Sequence, residues 1–343
     1  MIIEHCYSKA GVAMKQIWQI RSSQLNHVTL NLGEYTSIYN ENETNEELIL
    51  SLIYQYFQPR NRNKDVLIKE LIEDVEVSSK SHVAFMISHN DIEQEHQLAA
   101  SSILNKKLQY DMNQNIEVSG YINSINVLME DLLEEVKRKL PLKVKPFDIK
   151  QFIKQLNFEY ELEADYSRLI VRLKQLLPLL VEQMNNLSNN KGLLIYLYPE
   201  ANLSIKERLI FREVLNDLPI KIIVLTQSRY FLADSIDGLN YLRNSKQMIT
   251  VDFIENCYWE APLNFKREDI VVSLKNVFDQ YSHCFEIHPT ITNYHLGDIM
   301  VFKDIDIYVI VRFLRFCKLD YILDIDDTKI SEPLALYLGL STS

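Results

Sequence analysis

Two short and almost wholly apolar runs, residues 192–198 (GLLIYLY) and 220–226 (IKIIVLT), stand out along the chain. Turn residues bound each run, and an amphipathic segment of helical length separates them. Ser204 and Glu207 have the S-x-x-E spacing of a capping box, which marks the start of that helix. Short apolar runs of this kind are typical of buried parallel strands. The pattern therefore predicts a β-α-β unit and an α/β fold built on a parallel sheet.

A second strand, loop and helix precede this unit. Residues 27–32 (HVTLNL) alternate like a strand, and Thr44 and Glu47 form another capping box ahead of an amphipathic helix. The loop predicted between them, residues 33–44, takes the position of the phosphate-binding loop of a nucleotide hydrolase. It contains no lysine, and no G-x-x-x-x-G-K-[ST] motif occurs in the sequence. Its carboxylates would repel phosphate, so we expect no bound nucleotide. They are Glu34, Glu41 and Glu43.

The middle of the chain has a helical pattern. Residues 79–136 contain no proline and a single glycine, and their apolar positions recur at helical spacing. This predicts two long amphipathic helices with a break near residues 113–115, forming a hairpin that projects from the sheet domain; residues 82–87 could instead form a strand. Residues 65–77 are predicted to form a helix, or a helix ending in a short strand, and residues 247–254 a strand.

The order of these elements predicts three domains. Pro262 marks a plausible boundary, after which the apolar pattern is mainly helical. The expected domains are a discontinuous α/β head, residues 1–78 and 140–258; a helical leg, residues 79–139; and a mainly helical C-terminal extension, residues 259–343.

The composition fits a globular protein of the cytoplasm. The 343 residues are 47% hydrophobic with a net charge of −11, which is too apolar for a disordered chain. No run approaches the roughly 20 apolar residues of a membrane span, and the first residues (MIIEHCYSK) lack the apolar core of a secretory signal. The four cysteines form no C-x-x-C pair, which favours reduced structural thiols over disulfides.

The charge is distributed unevenly. Residues 251–343 hold 15 acidic and 8 basic side chains, a balance of −7, which leaves −4 for the first 250 residues. Residues 137–154, in contrast, hold seven bases and one acid. The candidate DNA-binding residues are Lys137, Arg138, Lys139, Lys143 and Lys145 from this run, which continues to Lys150 and Lys154, and Arg60, Arg62 and Lys64 from a smaller cluster.

Basic clusters of this kind suit the phosphate backbone of double-stranded DNA, because neutralising phosphates releases counterions. Neither cluster is interleaved with stacking aromatics, which favours backbone contact over single-strand or base-specific recognition. A solvated basic surface without a ligand is the alternative.

Four carboxylates near the end of the predicted hairpin are candidate ligands for a hard cation such as calcium. A spacing of four residues puts them pairwise on neighbouring faces of a helix, although such groups are also common on solvent-exposed helix ends. They are Glu130, Asp131, Glu134 and Glu135. The aspartates near Asp324 lack the pattern of an EF-hand loop, and His283, Cys284, His288 and His295 fit no standard zinc spacing. No hydrolase motif is present, so no catalytic residue is predicted.

The order of four segments along the chain indicates a family resemblance. The segments are LILSLIYQYF, GYINSINVLMEDLLEE, GLLIYLYPEANLSIKERL and LPIKIIVLTQSR. In this order the chain resembles the DNA-end-binding protein of type II-A CRISPR systems, the Csn-two family. The resemblance covers roughly residues 25–255 and consists of patterns of residue type. The additional C-terminal segment would place the chain in the large-chain subgroup.

The resemblance implies a head domain with a degenerate P-loop-NTPase-like fold, a helical leg, and a ring-shaped homotetramer that threads linear duplex DNA through a basic hole. It implies a non-catalytic role in spacer acquisition beside the CRISPR spacer integrase and the RNA-guided effector nuclease. Family members use calcium near the junction of head and leg, which would give the group Glu130 to Glu135 a role.

The leading hypothesis from the sequence is therefore a non-catalytic protein that binds double-stranded DNA ends. One alternative is a divergent NTPase or nuclease that uses Glu200 or the acidic end of the hairpin. The other is a protein-interaction scaffold whose basic surface contacts an acidic partner.

Overall fold

The computed structural model describes residues 16–25, 27–39, 45–58, 65–136, 143, 145–156, 168–189 and 191–340. Contacts between residues divide the chain into two compact units. The first, here called the sheet unit, comprises Met1–Ser88 and Ser188–Ser343, and the second, the helical unit, comprises His89–Leu187. No helix in the described part of the chain is long and apolar enough to cross a membrane.

The strands of the described residues lie in the sheet unit. In chain order they are β1 (Ile17–Arg21), β2 (Val28–Asn31), β3 (Tyr35–Tyr39), β4 (Leu67–Glu70), β5 (Val75–Glu76), β6 (Val83–Ile87), β7 (Gly192–Leu197), β8 (Lys221–Thr226), β9 (Leu239–Arg243), β10 (Lys246–Gln247), β11 (Thr290–Thr292), β12 (Ile299–Met300) and β13 (Ile322–Asp324).

Helices occur in both units. In chain order they are α1 (Glu46–Tyr56), α2 (His89–His96), α3 (Ile103–Gln114), α4 (Ile116–Val136), α5 (Ile149–Gln155), α6 (Leu169–Ser188), α7 (Ile205–Asn216), α8 (Val251–Trp259), α9 (Arg267–Tyr281), α10 (Asp304–Cys317) and α11 (Glu332–Leu338).

A six-stranded sheet lies at the centre of the sheet unit, in the order β10-β9-β3-β8-β7-β6. Its neighbouring strands are parallel except for β10 and β9. The apolar runs predicted as buried parallel strands are β7 and β8, which pair directly with each other, so that Ile195 lies opposite Ile223. The crossover helix α7 begins at the predicted capping box, in which Ser204 and Glu207 each bond the other's backbone N–H. The predicted β-α-β unit is confirmed.

The strand that leads into the first helix was assigned incorrectly from the sequence. Residues 27–32 do contain a strand, β2, but it belongs to an antiparallel sheet of order β2-β1-β4-β5. The central strand β3 lies instead within residues 33–44, which were predicted to form a loop. Its polar residues Thr36 and Ser37 are fully buried, because Thr36 bonds Gly33 and the Ser37 hydroxyl accepts the N–H of Ala233 at 2.8 Å. Because these residues are polar although they are buried, the hydrophobic pattern of the sequence does not identify this segment as a strand.

The helix predicted over residues 65–77 is wrong, because this segment forms the hairpin of β4 and β5. Alternate side chains of β4 are buried, with Ile68 and Glu70 on the inner face. The Glu70 carboxylate accepts the N–H of Ile17 at 3.0 Å, and Asp74 adopts the left-handed conformation in the turn. Pairing with β1 therefore overrides the helical preference of the segment.

The C-terminal segment shares its core with the central sheet. The ring of Tyr241 in β9 lies 5.6, 6.0 and 5.5 Å from the ring centroids of Phe278, Phe285 and Phe313. A small parallel sheet of order β12-β11-β13 lies in the same segment. The compact units therefore do not follow the predicted boundary at residue 259.

The strand predicted over residues 247–254 is also wrong. The strand β10 ends at Gln247, and the Thr250 hydroxyl accepts the N–H of Phe253 at 3.1 Å, which starts helix α8. Cys257 of this helix, together with Cys284 and Cys317, is buried. Burial raises the pKa of the Cys257 thiol to about 12, which makes it an unreactive structural residue.

The helical unit contains the two predicted long helices, α3 and α4, and the break between them is at Asn115. The Asn115 side-chain oxygen accepts the N–H groups of Glu117 at 2.9 Å and Val118 at 3.3 Å, which starts α4. The unit begins at His89 rather than at the predicted residue 79, because residues 83–87 form β6 of the central sheet. It also extends past residue 139 and includes α5.

A buried network of amide side chains joins the two sheets of the sheet unit. The Asn240 oxygen accepts the N–H of Asn31 at 2.7 Å, and the Asn240 nitrogen donates to the carbonyls of Asn31 at 2.9 Å and Ser37 at 3.2 Å. Gln247 donates to the same Asn240 oxygen. Asn31 belongs to β2, whereas Ser37 and Asn240 belong to β3 and β9, so these bonds fix one sheet against the other.

We expect Asn240→Ala to lower the free energy of unfolding by about 3 kcal/mol, because it leaves several buried backbone groups without partners. Urea denaturation followed by tryptophan fluorescence would measure this, since Trp18 is buried in the sheet unit. The matched control is Asn276→Ala at an exposed position. Equal stability of the two variants would show that the network contributes little.

Candidate nucleic-acid interface

The loop between β3 and α1 occupies the position that a phosphate-binding loop has in a nucleotide hydrolase. The described chain stops at Tyr39 and resumes at Asn45, so Thr44, Glu41 and Glu43 lie outside the described residues. Asn45 is the N-cap residue of α1, and its side chain makes no capping bond. Residues 40–45 (NENETN) contain no glycine and no lysine. The residue types that would wrap and neutralise a triphosphate are therefore missing from this loop.

Glu34, which was predicted to belong to this loop, lies at the opposite edge of the sheet. Its backbone carbonyl accepts the N–H of Ile222 at 3.0 Å, at the amino end of β8. Its side chain lies 3.9 Å from the ammonium of Lys221. This prediction was wrong because β3 follows Glu34 directly instead of ending before it.

Other carboxylates lie at the carboxyl edge of the parallel strands. Glu47, in the first turn of α1, accepts a 2.5 Å hydrogen bond from the hydroxyl of Tyr198, which follows β7. Tyr198 adopts the left-handed conformation. Glu200 accepts the hydroxyl of Thr226 at 2.8 Å and the N–H of Gln227 at 2.6 Å.

Glu47 and Tyr198 were not identified from the sequence as a pair, because they are 151 positions apart. The helix dipole stabilises a carboxylate in the first turn of α1, where a nucleotide hydrolase would hold phosphate. The negative charge of Glu47 disfavours a triphosphate at the start of α1.

The basic residues that the structure describes lie in the helical unit, on and just before α5. Lys143, Lys145, Lys150 and Lys154 are exposed, and none of them forms an ion pair with another described residue. The single acid of the run, Asp148, caps α5, where its carboxylate accepts the N–H of Gln151 at 2.6 Å. Its charge is therefore used at the helix N-terminus, which leaves the lysines free to contact an anion.

The spacing of four residues puts Lys150 and Lys154 on one face of α5. Both line a groove of about 320 Å³ that is also lined by amide side chains from α3 and from the residue that follows α2. These amides are Gln97, Asn105 and Gln109. Each amide nitrogen already donates a bond within the unit, Gln97 to Glu93, Asn105 to the carbonyl of Leu98 and Gln109 to Asn105. The lysines are therefore the groups of this groove that can hold a phosphate backbone.

An adjacent face of α5 anchors the helix. Ile149 and Ile153 are buried in a small core with Ile122 of α4. The Asn126 side chain of α4 also binds both backbone groups of Phe147, accepting its N–H at 2.6 Å and donating to its carbonyl at 3.0 Å. The chain between Lys145 and α5 is thereby held against α4.

Six of the predicted DNA-binding residues lie outside the described part of the chain, and their assignment stays a prediction. They are Arg60, Arg62, Lys64, Lys137, Arg138 and Lys139.

The four predicted calcium ligands, Glu130, Asp131, Glu134 and Glu135, are all exposed on the last turns of α4. Among the described residues, no group of three or more His, Cys, Asp or Glu side chains is placed to hold a metal ion. The calcium site stays a prediction from the family resemblance.

The architecture is that of a mixed α/β protein with a mostly parallel sheet and an additional antiparallel sheet. The fold is similar to the crystal structure of Stu0660 of Streptococcus thermophilus, with a TM-score of 0.60 and 16% sequence identity. The match covers 94% of this chain and 99% of that chain. No protein-family model and no curated protein matches the sequence. At this level of identity the match indicates a shared fold.

We expect Asn126→Ala to release the lysine-bearing segment, because both backbone groups of Phe147 lose their partner. The expected loss is about 1 to 2 kcal/mol of local stability, seen as a roughly 5- to 30-fold faster amide exchange at Phe147. Hydrogen–deuterium exchange with mass spectrometry would measure it. Asn123→Ala, at an exposed position of the same helix, is the matched control and should leave the exchange rate unchanged.

Proposed function

We propose that this protein binds the ends of double-stranded DNA without catalysing a reaction. The observation that carries the proposal is the set of exposed lysines, Lys143, Lys145, Lys150 and Lys154, none of which is paired with a carboxylate in the described part of the chain. They form a local basic surface on a protein whose net charge is −11. A surface of this kind attracts a polyanion over a short range, although the whole molecule repels one.

The sheet unit then acts as a degenerate P-loop-NTPase-like scaffold. Support comes from the parallel strands β3 and β8, from the loop without glycine or lysine after β3, and from the carboxylates Glu47 and Glu200 at the carboxyl edge. Such an edge favours an architecture that has lost triphosphate binding over an active hydrolase. The similarity to Stu0660 supports the fold only.

A ring-shaped homotetramer would give this modest surface enough contacts. One subunit offers few lysines, whereas four copies that face one central hole would contact several phosphates at once, and the affinity would rise accordingly. The acidic C-terminal segment would then face away from the DNA. We place the protein in CRISPR spacer acquisition, with the spacer integrase and the effector nuclease as partners, and we assign calcium to the group Glu130 to Glu135.

The double variant Lys150→Glu, Lys154→Glu should bind linear duplex DNA at least about tenfold more weakly at low salt, because two phosphate contacts per engaged subunit become repulsive. The slope of log affinity against log salt should become shallower by about 1 for each lost contact. Fluorescence anisotropy with a labelled duplex would measure both quantities.

The matched control for this variant is Lys206→Glu, Lys266→Glu, which produces the same change in net charge at exposed positions of the sheet unit. Equal weakening in both variants would indicate a general charge effect and would contradict a DNA site on α5. If neither the unmodified protein nor the control variant binds DNA at low salt, the result would favour an interaction scaffold.

Threading requires a free end, so linear duplex should bind more tightly than a nicked circle of the same sequence. Gel shifts with both DNA forms, together with light scattering to determine the number of subunits, test this prediction. Equal binding of the two forms, or a strictly monomeric protein, would rule out threading. Shortening of the DNA during incubation would instead indicate a nuclease.

A further inference from the structure

A second candidate ligand site lies in the sheet unit, at the carboxyl ends of β7 and β8. It is an open pocket of about 450 Å³ whose lining includes Arg208 of α7, Arg229 and Tyr230 after β8, and His283. Ligands of open parallel sheets bind at the carboxyl ends of the strands, and the volume lies within the range of small-molecule pockets. The lysines of the candidate DNA surface do not contribute to it.

Both arginines of this pocket lack a carboxylate partner among the described residues. Arg208 donates one bond, from Nε to the carbonyl of Leu203 at 3.0 Å. Arg229 donates two long bonds of 3.4 Å, to the carbonyl of Gln280 and to the hydroxyl of Tyr230. Several guanidinium N–H groups therefore remain available to a ligand. In this they differ from Arg212, which lies on α7 with Arg208 but is buried and paired with Asp234.

Glu200 also lines the pocket, but its carboxylate is already engaged. One oxygen accepts the Thr226 hydroxyl at 2.8 Å, and the other accepts the N–H of Gln227 at 2.6 Å. Two guanidinium groups against one carboxylate give the pocket a net positive charge, without any contribution from His283.

We infer that this pocket binds a phosphate monoester dianion. Two guanidinium groups present paired N–H donors that match the geometry and the charge of such a group better than those of a neutral or singly charged ligand. The dianion can come from a free mononucleotide-sized metabolite or from the terminal phosphate of a DNA strand. The inference is independent of the proposed DNA surface, because the two sites lie in different units.

Isothermal titration calorimetry on the full chain tests this inference, with adenosine 5′-monophosphate, inorganic phosphate and adenosine as probes. We expect both phosphates to bind and adenosine not to bind. The variant Arg208→Gln, Arg229→Gln should weaken phosphate binding by at least about tenfold, whereas Arg21→Gln, at an exposed position outside the pocket, should not change it.

The variant Glu200→Gln should bind phosphate several-fold more tightly, because it removes the negative charge while its amide oxygen can still accept one of the two hydrogen bonds. This opposite change separates an electrostatic site from a loss of fold. No binding of either phosphate to folded protein, equal binding of adenosine and its monophosphate, or unchanged binding in the double arginine variant would overturn the inference.

Duplexes with and without a 5′-phosphate identify the source of the dianion. A preference for the phosphorylated duplex that is lost in Arg208→Gln, Arg229→Gln would assign the pocket to DNA termini. Binding of the monophosphate without such a preference would assign it to a free metabolite. The variant Lys150→Glu, Lys154→Glu should retain binding of the monophosphate, so failure of the DNA surface and failure of this pocket give different results.

Discussion

The hydrogen bonds between Asn31 and Asn240 are the interaction on which the arrangement of the sheet unit depends. They join β2 of the antiparallel sheet to β9 of the parallel sheet across more than 200 positions of sequence, and they are buried. A buried amide without a partner is costly, so these bonds specify one register of the two sheets and exclude others. Asn240 also donates to the carbonyl of Ser37, so the same side chain supports the pairing of β9 with β3.

Charge is separated between the two units. The carboxyl edge of the parallel sheet holds Glu47 and Glu200, each bound by hydroxyl or backbone donors, at the location where nucleotide hydrolases hold phosphate. Four lysines without an ion pair among the described residues lie instead on and just before α5 of the helical unit, and the apolar face of this helix packs against α4. Two arginines of the sheet unit, Arg208 and Arg229, lie beside this edge and have no carboxylate partner among the described residues. The carboxylate charge therefore lies at the edge of the parallel sheet, and unpaired positive charge lies on the helical unit and beside that edge.

The local signals in the sequence were reliable where one short interaction decides the structure. The Ser204 and Glu207 capping box starts α7 as predicted, and the break between the long helices is at Asn115 within the predicted interval. The apolar runs became β7 and β8, because a strand buried on both faces needs apolar residues throughout. The basic run could likewise be found from composition, and the structure exposes those of its lysines that it describes.

The errors occurred where distant partners decide the structure. The strand β3 contains Thr36 and Ser37, whose burial is possible because Gly33 and Ala233 supply hydrogen bonds. The segment 65–77 became a hairpin because β1 offers it an edge to pair with. Glu34 was placed at the wrong edge of the sheet as a direct consequence of the first error.

The sequence by itself determined the α/β class, the parallel β-α-β unit, the helical pair, the missing phosphate-binding motif and the basic run, since each depends on residues that are close along the chain. Only the tertiary structure decided which strand is central and that the C-terminal segment shares the core of the sheet. It also decided that Glu47 contacts Tyr198 and that Arg208 and Arg229 line the same pocket. These depend on contacts between residues far apart in sequence, which local patterns do not encode because the free energy of such contacts arises from burial and hydrogen bonding in the folded chain.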